Sequence, residues 1–217
     1  MSSAMFDLIL QATLDTLYMV AVSGVIATLI GLPLGVMLYA TRPRQILAMP
    51  ALNQALGIIT NVGRSIPFII LMVAIIPFTR MLVGTSIGIN AASVPLTIAA
   101  IPFVARLIEG ALNEISPGLI ESAQAMGATP WQVITEVLIP EARGGIITGL
   151  TITLVTLVSY SAMAGAVGGG GLGDLGIRYG YNRFNPTIML ITVVILVVMV
   201  QGFQSLGDYL VRKSDRK

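Results

Sequence analysis

The chain has 217 residues, of which 55% are hydrophobic and 10% charged, and its formal net charge is +2. Soluble globular proteins carry about 25% charged residues, so this composition excludes an ordinary soluble domain and predicts a membrane protein. The sequence has no cysteine and no histidine. This excludes disulfides, thiol chemistry, histidine general bases and the usual zinc sites. The small net charge gives no indication of a nucleic-acid partner, and none is predicted.

The apolar runs are long and continuous instead of alternating residue by residue, which favours helices over a barrel. We predict an all-α polytopic membrane protein with five transmembrane helices in a single transmembrane domain, residues 1–217. The predicted spans are residues 14–39, 56–78, 87–112, 146–163 and 187–209. The N-terminal residues lack the basic stretch of a cleaved signal peptide, so the first span is expected to remain in the mature protein.

The first two spans contain residues that are unusual in lipid. Gly31 and Gly35 have the four-residue spacing that lets two helices approach closely. In the second span, Arg64 precedes Pro67 by three residues, well inside an apolar stretch. A charged side chain there needs a partner, water or a route to the interface. Arg64 therefore either reaches the headgroups or a neighbouring helix, or lines a solute path.

The third span is interrupted by Pro95 and Pro102, so a bent helix, or a short helix followed by the span proper, is expected. Near its end, Arg106 and Glu109 lie three residues apart on one helical face. At this spacing the two side chains can pair.

Residues 116–140 separate the third and fourth spans and are predicted to form two short helices. Ser116 is expected to cap the first helix, and Gly127 to end it in the left-handed conformation. Thr129 is expected to cap the second helix, with a glutamine three residues on completing a capping box. Pro140 is expected to stop that helix. A bilayer crossing needs about 20 residues, so neither helix is long enough to span the membrane. Short helices of this kind between two spans are typical of a docking element.

A glycine-rich stretch, residues 165–176, follows the fourth span. It formally contains G-x-G-x-x-G, but no strand precedes it and no βαβ unit surrounds it, which argues against a dinucleotide site. A Walker A loop is also excluded, because the only lysines are Lys213 and Lys217. We interpret the stretch as a compact, adaptable loop outside the bilayer.

The basic residues predict the orientation of the five spans. One side has six in its connections and tail, namely Arg42, Arg44, Arg212, Lys213, Arg216 and Lys217, with Arg106 and Arg143 at the flanks of the long loop. The other side has three, namely Arg80, Arg178 and Arg183. By the positive-inside rule, the C-terminus and the two short helices are predicted to be cytoplasmic and the N-terminus outside.

Residues 116–140, the segment of the two predicted short helices, carry a recognisable pattern. The positions that match are Glu121, Ser122, Ala123, Gly127, Val137, Leu138, Ile139 and Pro140. Their spacing resembles the E-A-A-x3-G-x9-I-x-L-P signature of bacterial ABC importer permeases, with serine, valine and isoleucine at three relaxed positions. Nearly the whole chain resembles the D-/L-methionine importer permeases of the binding-protein-dependent transport family. The motifs that carry this wider likeness are Arg64-Ser-Ile-Pro-Phe, Val83-Gly-Thr-Ser-Ile-Gly and Tyr160-Ser-Ala-Met163.

The resemblance implies a permease of the type I importer fold in the bacterial inner membrane, moving D- and L-methionine by alternating access. It implies a homodimer surrounded by membrane lipid, two cytoplasmic ATPase subunits and a periplasmic methionine-binding lipoprotein. It implies no cofactor or catalytic residue in this chain, since ATP and Mg²⁺ would be bound by the partner ATPase. The implied coupling residues are Glu121, Ser122, Ala123, Gly127, Trp131 and Pro140.

Glu121 either contacts the ATPase or caps within its own helix. The candidate residues for the solute pathway are Arg64, Ser65, Tyr160, Ser161 and Met163. Met163 is either a soft apolar gate or an ordinary packing methionine. Two alternative functions fit the sequence: a polar-amino-acid permease of the same superfamily and a passive channel. An intramembrane enzyme is disfavoured, since the spans offer no facing pair of acidic residues.

Overall fold

The computed structural model describes residues 3–214, which form helices joined by turns. The helices are α1 (Ser3–Ala40), α2 (Pro50–Ser65), α3 (Phe68–Ala74), α4 (Ile76–Val83), α5 (Ile89–Asn113), α6 (Pro117–Ala125), α7 (Pro130–Gln132), α8 (Ile139–Glu141), α9 (Arg143–Gly165), α10 (Gly171–Leu175) and α11 (Pro186–Ser214). Two π-helical segments, π1 (Val133–Leu138) and π2 (Gly176–Tyr181), complete the order. The prediction of an all-α protein is confirmed for this part of the chain.

Within residues 3–214, four helices are long and apolar enough to cross a membrane, namely α1, α5, α9 and α11. A fifth crossing results if the broken pair α2 and α3 counts as one span. The helices extend beyond the predicted spans. α1 begins at Ser3 instead of residue 14, and α11 continues to Ser214, because polar side chains such as the exposed Asp7 do not end a helix. Arg216 and Lys217, part of the predicted basic tail, lie outside the described residues.

The expectation that Arg64 lies inside a continuous second span is wrong. α2 ends at Ser65, and Pro67 precedes the first residue of α3. A proline disfavours the helical conformation in the residue before it and cannot donate an amide proton, so the helix breaks at Ile66 and Pro67. Arg64 consequently lies in the last turn of α2, where a positive charge interacts favourably with the helix dipole.

The third span shows the opposite outcome. α5 is one uninterrupted helix that includes both Pro95 and Pro102. Of the two expected forms, a separate short helix followed by the span proper is therefore wrong, because neither proline interrupts α5.

Two compact units can be distinguished, and the long helices contribute residues to both. The first takes in the chain up to Ala27, Ile66–Ala100 and Thr153–Gln204. The second takes in Thr28–Ser65, Ile101–Ile152 and the chain from Ser205 onward.

In the second unit, α1 crosses α5 at the predicted glycine pair. A Cβ added to Gly31 would lie 2.7 Å from Val104 Cβ, and one added to Gly35 would lie 2.6 Å from the Ala105 carbonyl oxygen. Larger residues cannot occupy either position without separating the helices. The predicted close approach is confirmed.

In the first unit, the glycine-rich stretch is not an adaptable loop. Residues 166–170 form a turn, and the rest of the stretch continues into α10 and the start of π2, where Leu172 and Leu175 pack in a core with Ile9 and Ile188. The Leu172 amide donates a 2.8 Å hydrogen bond to Thr16 Oγ1 on α1. The sequence interpretation failed because the glycines here permit close helix contact as well as turns, as their tertiary neighbours show.

Candidate docking site

The chain between α5 and α9 forms an elbow of short helices in the second unit. Pro117 occupies the first position of α6, where the missing amide proton has no helical partner to lose. Ser116 precedes it, but its side chain makes no capping hydrogen bond, so the predicted serine cap is wrong. In a serine cap, the Leu119 amide would donate to the Ser116 hydroxyl. Here the Leu119 amide donates to the Ser116 carbonyl instead, at 3.1 Å.

Gly127 ends α6 as predicted. Its φ of +85° lies in the left-handed region. The Gly127 amide donates to the Gln124 carbonyl at 2.9 Å, and the Ala128 amide donates to the Ala123 carbonyl at 3.1 Å. These two bonds form the Schellman motif, which satisfies carbonyls at the helix end and fixes the direction of the next segment.

Thr129 begins the second arm of the elbow with the predicted capping box. The Gln132 amide donates to Thr129 Oγ1 at 3.3 Å, and the Thr129 amide donates to Gln132 Oε1 at 2.9 Å. Both ends of the glycine turn are therefore fixed by local hydrogen bonds, so the angle of the elbow is set by its own sequence.

Pro140 does not stop the second arm, contrary to prediction. It lies at the second position of α8, directly after the π-helical turn of π1. A π-helix bonds residues five apart, and this register accommodates a residue that lacks an amide proton and would crowd an α-helical carbonyl. The backbone then continues through Ala142, whose amide bonds the Leu138 carbonyl at 3.0 Å, into α9.

The elbow has a buried face and an exposed face. Its buried side chains are Ile120, Ala123, Val133, Ile134 and Leu138. On the other face, Met126 is 83% exposed and Trp131 is 71% exposed, beside the exposed Leu119 and Glu121. We call Leu119, Glu121, Met126 and Trp131 the elbow surface. A tryptophan and a methionine this exposed are typical of a protein interaction site.

The predicted coupling residues fall on both faces. Glu121, Ser122 and Trp131 are exposed, whereas Ala123 is buried and Pro140 is half-buried. Ser122 Oγ donates to the Gly118 carbonyl at 2.7 Å within α6. Within residues 3–214, the Glu121 side chain has no hydrogen bond or ion pair. Capping within its own helix is therefore not what Glu121 does in this structure.

A buried ion cluster lies just before the elbow, at the end of α5. Glu109 is 3% exposed, and its carboxylate forms two ion pairs. Arg106 Nη1 lies 2.6 Å from Glu109 Oε2, and Arg42 Nη2 lies 2.5 Å from Glu109 Oε1. Arg42 also donates to Asn113, and Arg106 to Asn61 Oδ1 at 2.8 Å. The predicted pairing of Arg106 with Glu109 is confirmed. Arg42 is not predicted from the sequence to join this cluster and counts there only among the basic residues that predict orientation.

The predicted pathway residues of α2 lie at its C-terminal end. Arg64 and Ser65 are both exposed, and Ser65 Oγ donates to the Asn61 carbonyl at 2.8 Å. Their exposure leaves both open to a solute or to lipid.

The three predicted pathway residues of α9 differ from one another. The Tyr160 ring stacks on Phe68 with centroids 4.5 Å apart. Ser161 is buried and donates to the Val158 carbonyl at 2.7 Å. Among the three, Met163 alone has an exposed side chain. In the described residues, no group of three or more acidic side chains could hold a metal ion.

The family model for the inner membrane component of binding-protein-dependent transport systems matches residues 31–216. The chain belongs to this family. It is thus a multi-pass component of the inner membrane, and the resemblance drawn from the spacing of Glu121, Gly127 and Pro140 is confirmed.

Two curated members of this inner membrane component family match almost end to end. The probable D-methionine transport system permease protein MetI of Vibrio cholerae is 61% identical over 211 residues, covering 97% of this chain and 94% of the relative. Its counterpart in Pasteurella multocida is 48% identical over 217 residues, covering 100% of both chains.

A solved structure matches over the same length. It is an inward-facing conformation of the MetNI methionine ABC transporter, with 54% sequence identity and a TM-score of 0.96. The match covers 99% of each chain. The chain therefore has the permease fold of that transporter.

Proposed function

We propose that this chain is the permease subunit of an ATP-driven importer that moves D- and L-methionine across the inner membrane. The observation that carries the proposal is the elbow surface, a rigid exposed patch in a chain that matches methionine permeases along its whole length. The chain has no Walker A lysine, so the energy would come from an ATPase on another chain.

The orientation we propose places the elbow and the C-terminus in the cytoplasm and the N-terminus outside. Arg42 contacts Glu109 and Asn113, four residues before α6 begins. The basic loop around Arg42 is therefore next to the elbow. Positive residues concentrate on the cytoplasmic side of membrane proteins, which supports a cytoplasmic elbow.

The structure suggests how the elbow would transmit force. Leu138 and Val133 are fully buried on the inner face of π1. The backbone from π1 to α9 stays hydrogen-bonded, since the Ile146 amide also bonds the Ala142 carbonyl at 2.8 Å. A displacement of the elbow surface would thus move the adjoining end of α9 with little loss in between.

In the cycle we propose, two copies of this chain form a homodimer with two ATPase subunits. ATP and Mg²⁺ bind to those subunits, whose closure draws the paired elbows together. The spans then turn as rigid bodies from inward-facing to outward-facing, and hydrolysis resets them. A periplasmic methionine-binding lipoprotein would deliver the substrate.

Individual roles follow from where the side chains lie. Glu121, Ser122 and Trp131 would contact the ATPase, whereas Ala123, Gly127 and Pro140 would shape the elbow beneath them. Arg64, Ser65, Tyr160, Ser161 and Met163 remain our predicted pathway residues. Exposure favours Arg64, Ser65 and Met163 over the buried Ser161.

Reconstitution tests this proposal. The permease, its ATPase and its binding lipoprotein are placed in proteoliposomes, and uptake of labelled methionine is compared with that of histidine, arginine and glutamine. We expect methionine to accumulate above its outside concentration only when hydrolysable ATP is present. Accumulation of the polar amino acids instead would identify a polar-amino-acid permease, and equilibration without ATP would identify a channel.

A further inference from the structure

A groove of about 480 Å³ lies between α9 and α11 in the first unit. Its walls are mainly apolar and include Val158, Leu196 and Val200. Three exposed side chains of a different character also line it: Ser159, Met163 and Gln201. The size falls within the range of about 300–1,000 Å³ that is usual for sites that hold small molecules.

Ser159 and Gln201 are the two hydrogen-bonding side chains in this groove, and both are unsatisfied. Within residues 3–214, neither makes a hydrogen bond. Hydroxyls nearby behave differently: Ser161 and Thr192 each donate to a carbonyl of their own helix. The Ser159 hydroxyl and the Gln201 amide therefore remain available to something outside the chain.

Both residues lie within helices that are apolar enough to span a membrane, and Gln201 is near the middle of α11. Lipid tails offer no hydrogen bonds, so polar side chains at such depth face protein or water. An exposed glutamine amide is consequently not expected to face lipid. This argues against a lipid-facing groove and leaves water or a solute as the partner to be tested.

We propose that this groove is part of the solute-facing surface that each protomer contributes to the pathway, with Ser159 and Gln201 as its hydrogen-bonding residues. No charged residue lines it. An uncharged lining offers no ion partner to a charged side chain, so the groove suits an amino acid with an uncharged side chain, whose ammonium and carboxylate the Ser159 hydroxyl and the Gln201 amide can hydrogen-bond. The flexible and polarisable Met163 can contact that side chain. This inference rests on the proposed transport function and names the surface on which specificity depends.

Single-cysteine labelling tests the proposal, because the chain has no cysteine of its own. The variants Ser159→Cys and Gln201→Cys are compared with Val198→Cys, an exposed α11 position at similar depth that does not line the groove. Each is assembled with its ATPase in vesicles and exposed to a charged, membrane-impermeant methanethiosulfonate, and the mass of the permease is followed with time.

We expect both groove thiols to react at least about tenfold faster than the thiol at position 198. An apolar environment raises the pKa of a thiol, and each unit of pKa lowers the reactive thiolate about tenfold. Excess methionine should slow labelling at position 201. Equal or slower labelling there than at position 198 would overturn the proposal, whether the groove is covered by lipid or by the second protomer.

Transport by Gln201→Leu gives a second readout. We expect the KM for uptake to rise at least about tenfold, because a lost hydrogen bond to a charged group is worth about 1.5–3 kcal/mol, while ATPase assembly is unchanged. A KM like that of the wild type would contradict a role in solute contact. The labelling rate without added solute does not depend on which solute the complex moves. A complex that fails to take up methionine but labels rapidly at position 201 would therefore refute methionine as the substrate and leave the groove assignment standing.

Discussion

Replacing Gly127 with valine is expected to abolish uptake while ATP hydrolysis continues. Gly127 has a φ of +85°, which a β-branched residue adopts only at a cost of more than about 1–2 kcal/mol. A Cβ at this position would meet no atom within 4 Å, so the substitution acts through backbone conformation and not through packing. The Schellman turn would relax, and the two arms of the elbow would lose their fixed angle.

The matched control is Gly127→Asn, because asparagine tolerates the left-handed conformation better than other residues. We expect this variant to retain most of its uptake. ATPase rate and methionine uptake are measured on the same vesicles, so that the ratio of hydrolysed ATP to transported solute reports coupling. Normal uptake by Gly127→Val with a fully assembled ATPase would show that the elbow angle does not couple the two.

Replacing Glu109 with alanine is expected to destabilise the protein by about 3 kcal/mol. Removing one member of a buried ion pair costs about 3–5 kcal/mol, because the remaining charge is left buried without a partner. Here the Glu109 side chain is 5% exposed, between the Arg42 and Arg106 side chains that are 37% and 22% exposed. The partial exposure of the arginines places the expected effect at the lower end.

The control is Glu114→Ala, five residues further along. Glu114 is exposed, and its side chain makes no hydrogen bond or ion pair in the described part of the chain, so truncating it should change stability by less than about 0.5 kcal/mol. Unfolding is followed for both variants in the same detergent. Equal stability of the two would show that the Arg42–Glu109–Arg106 cluster does not hold the second unit together.

The local features of the elbow could be predicted from sequence because their causes lie within a few residues. The capping box of Thr129 and Gln132 and the left-handed Gly127 depend on neighbours along the chain. The pairing of Arg106 with Glu109 is likewise one helical turn apart. Such short-range patterns retain their meaning in any fold.

The failures concern contacts that no local pattern encodes. Arg42 reaches Glu109 across 67 residues, so the buried cluster could not be recognised from either segment alone. Pro140 does not end a helix because π1 shifts the hydrogen-bond register before it. Ser159 and Gln201 became candidates only when the fold brought α9 and α11 together.

The elbow surface is proposed to bind an ATPase carried on another chain. Cross-linking from a single thiol measures this contact. Met126→Cys, at the most exposed position of the elbow surface, is compared with Met81→Cys, where the methionine is 78% exposed in the first unit. A short thiol-to-amine reagent should join the thiol at position 126 to the ATPase and leave the thiol at position 81 unlinked. An assembled complex that gives no cross-link from position 126, or an equal yield from position 81, would contradict the account.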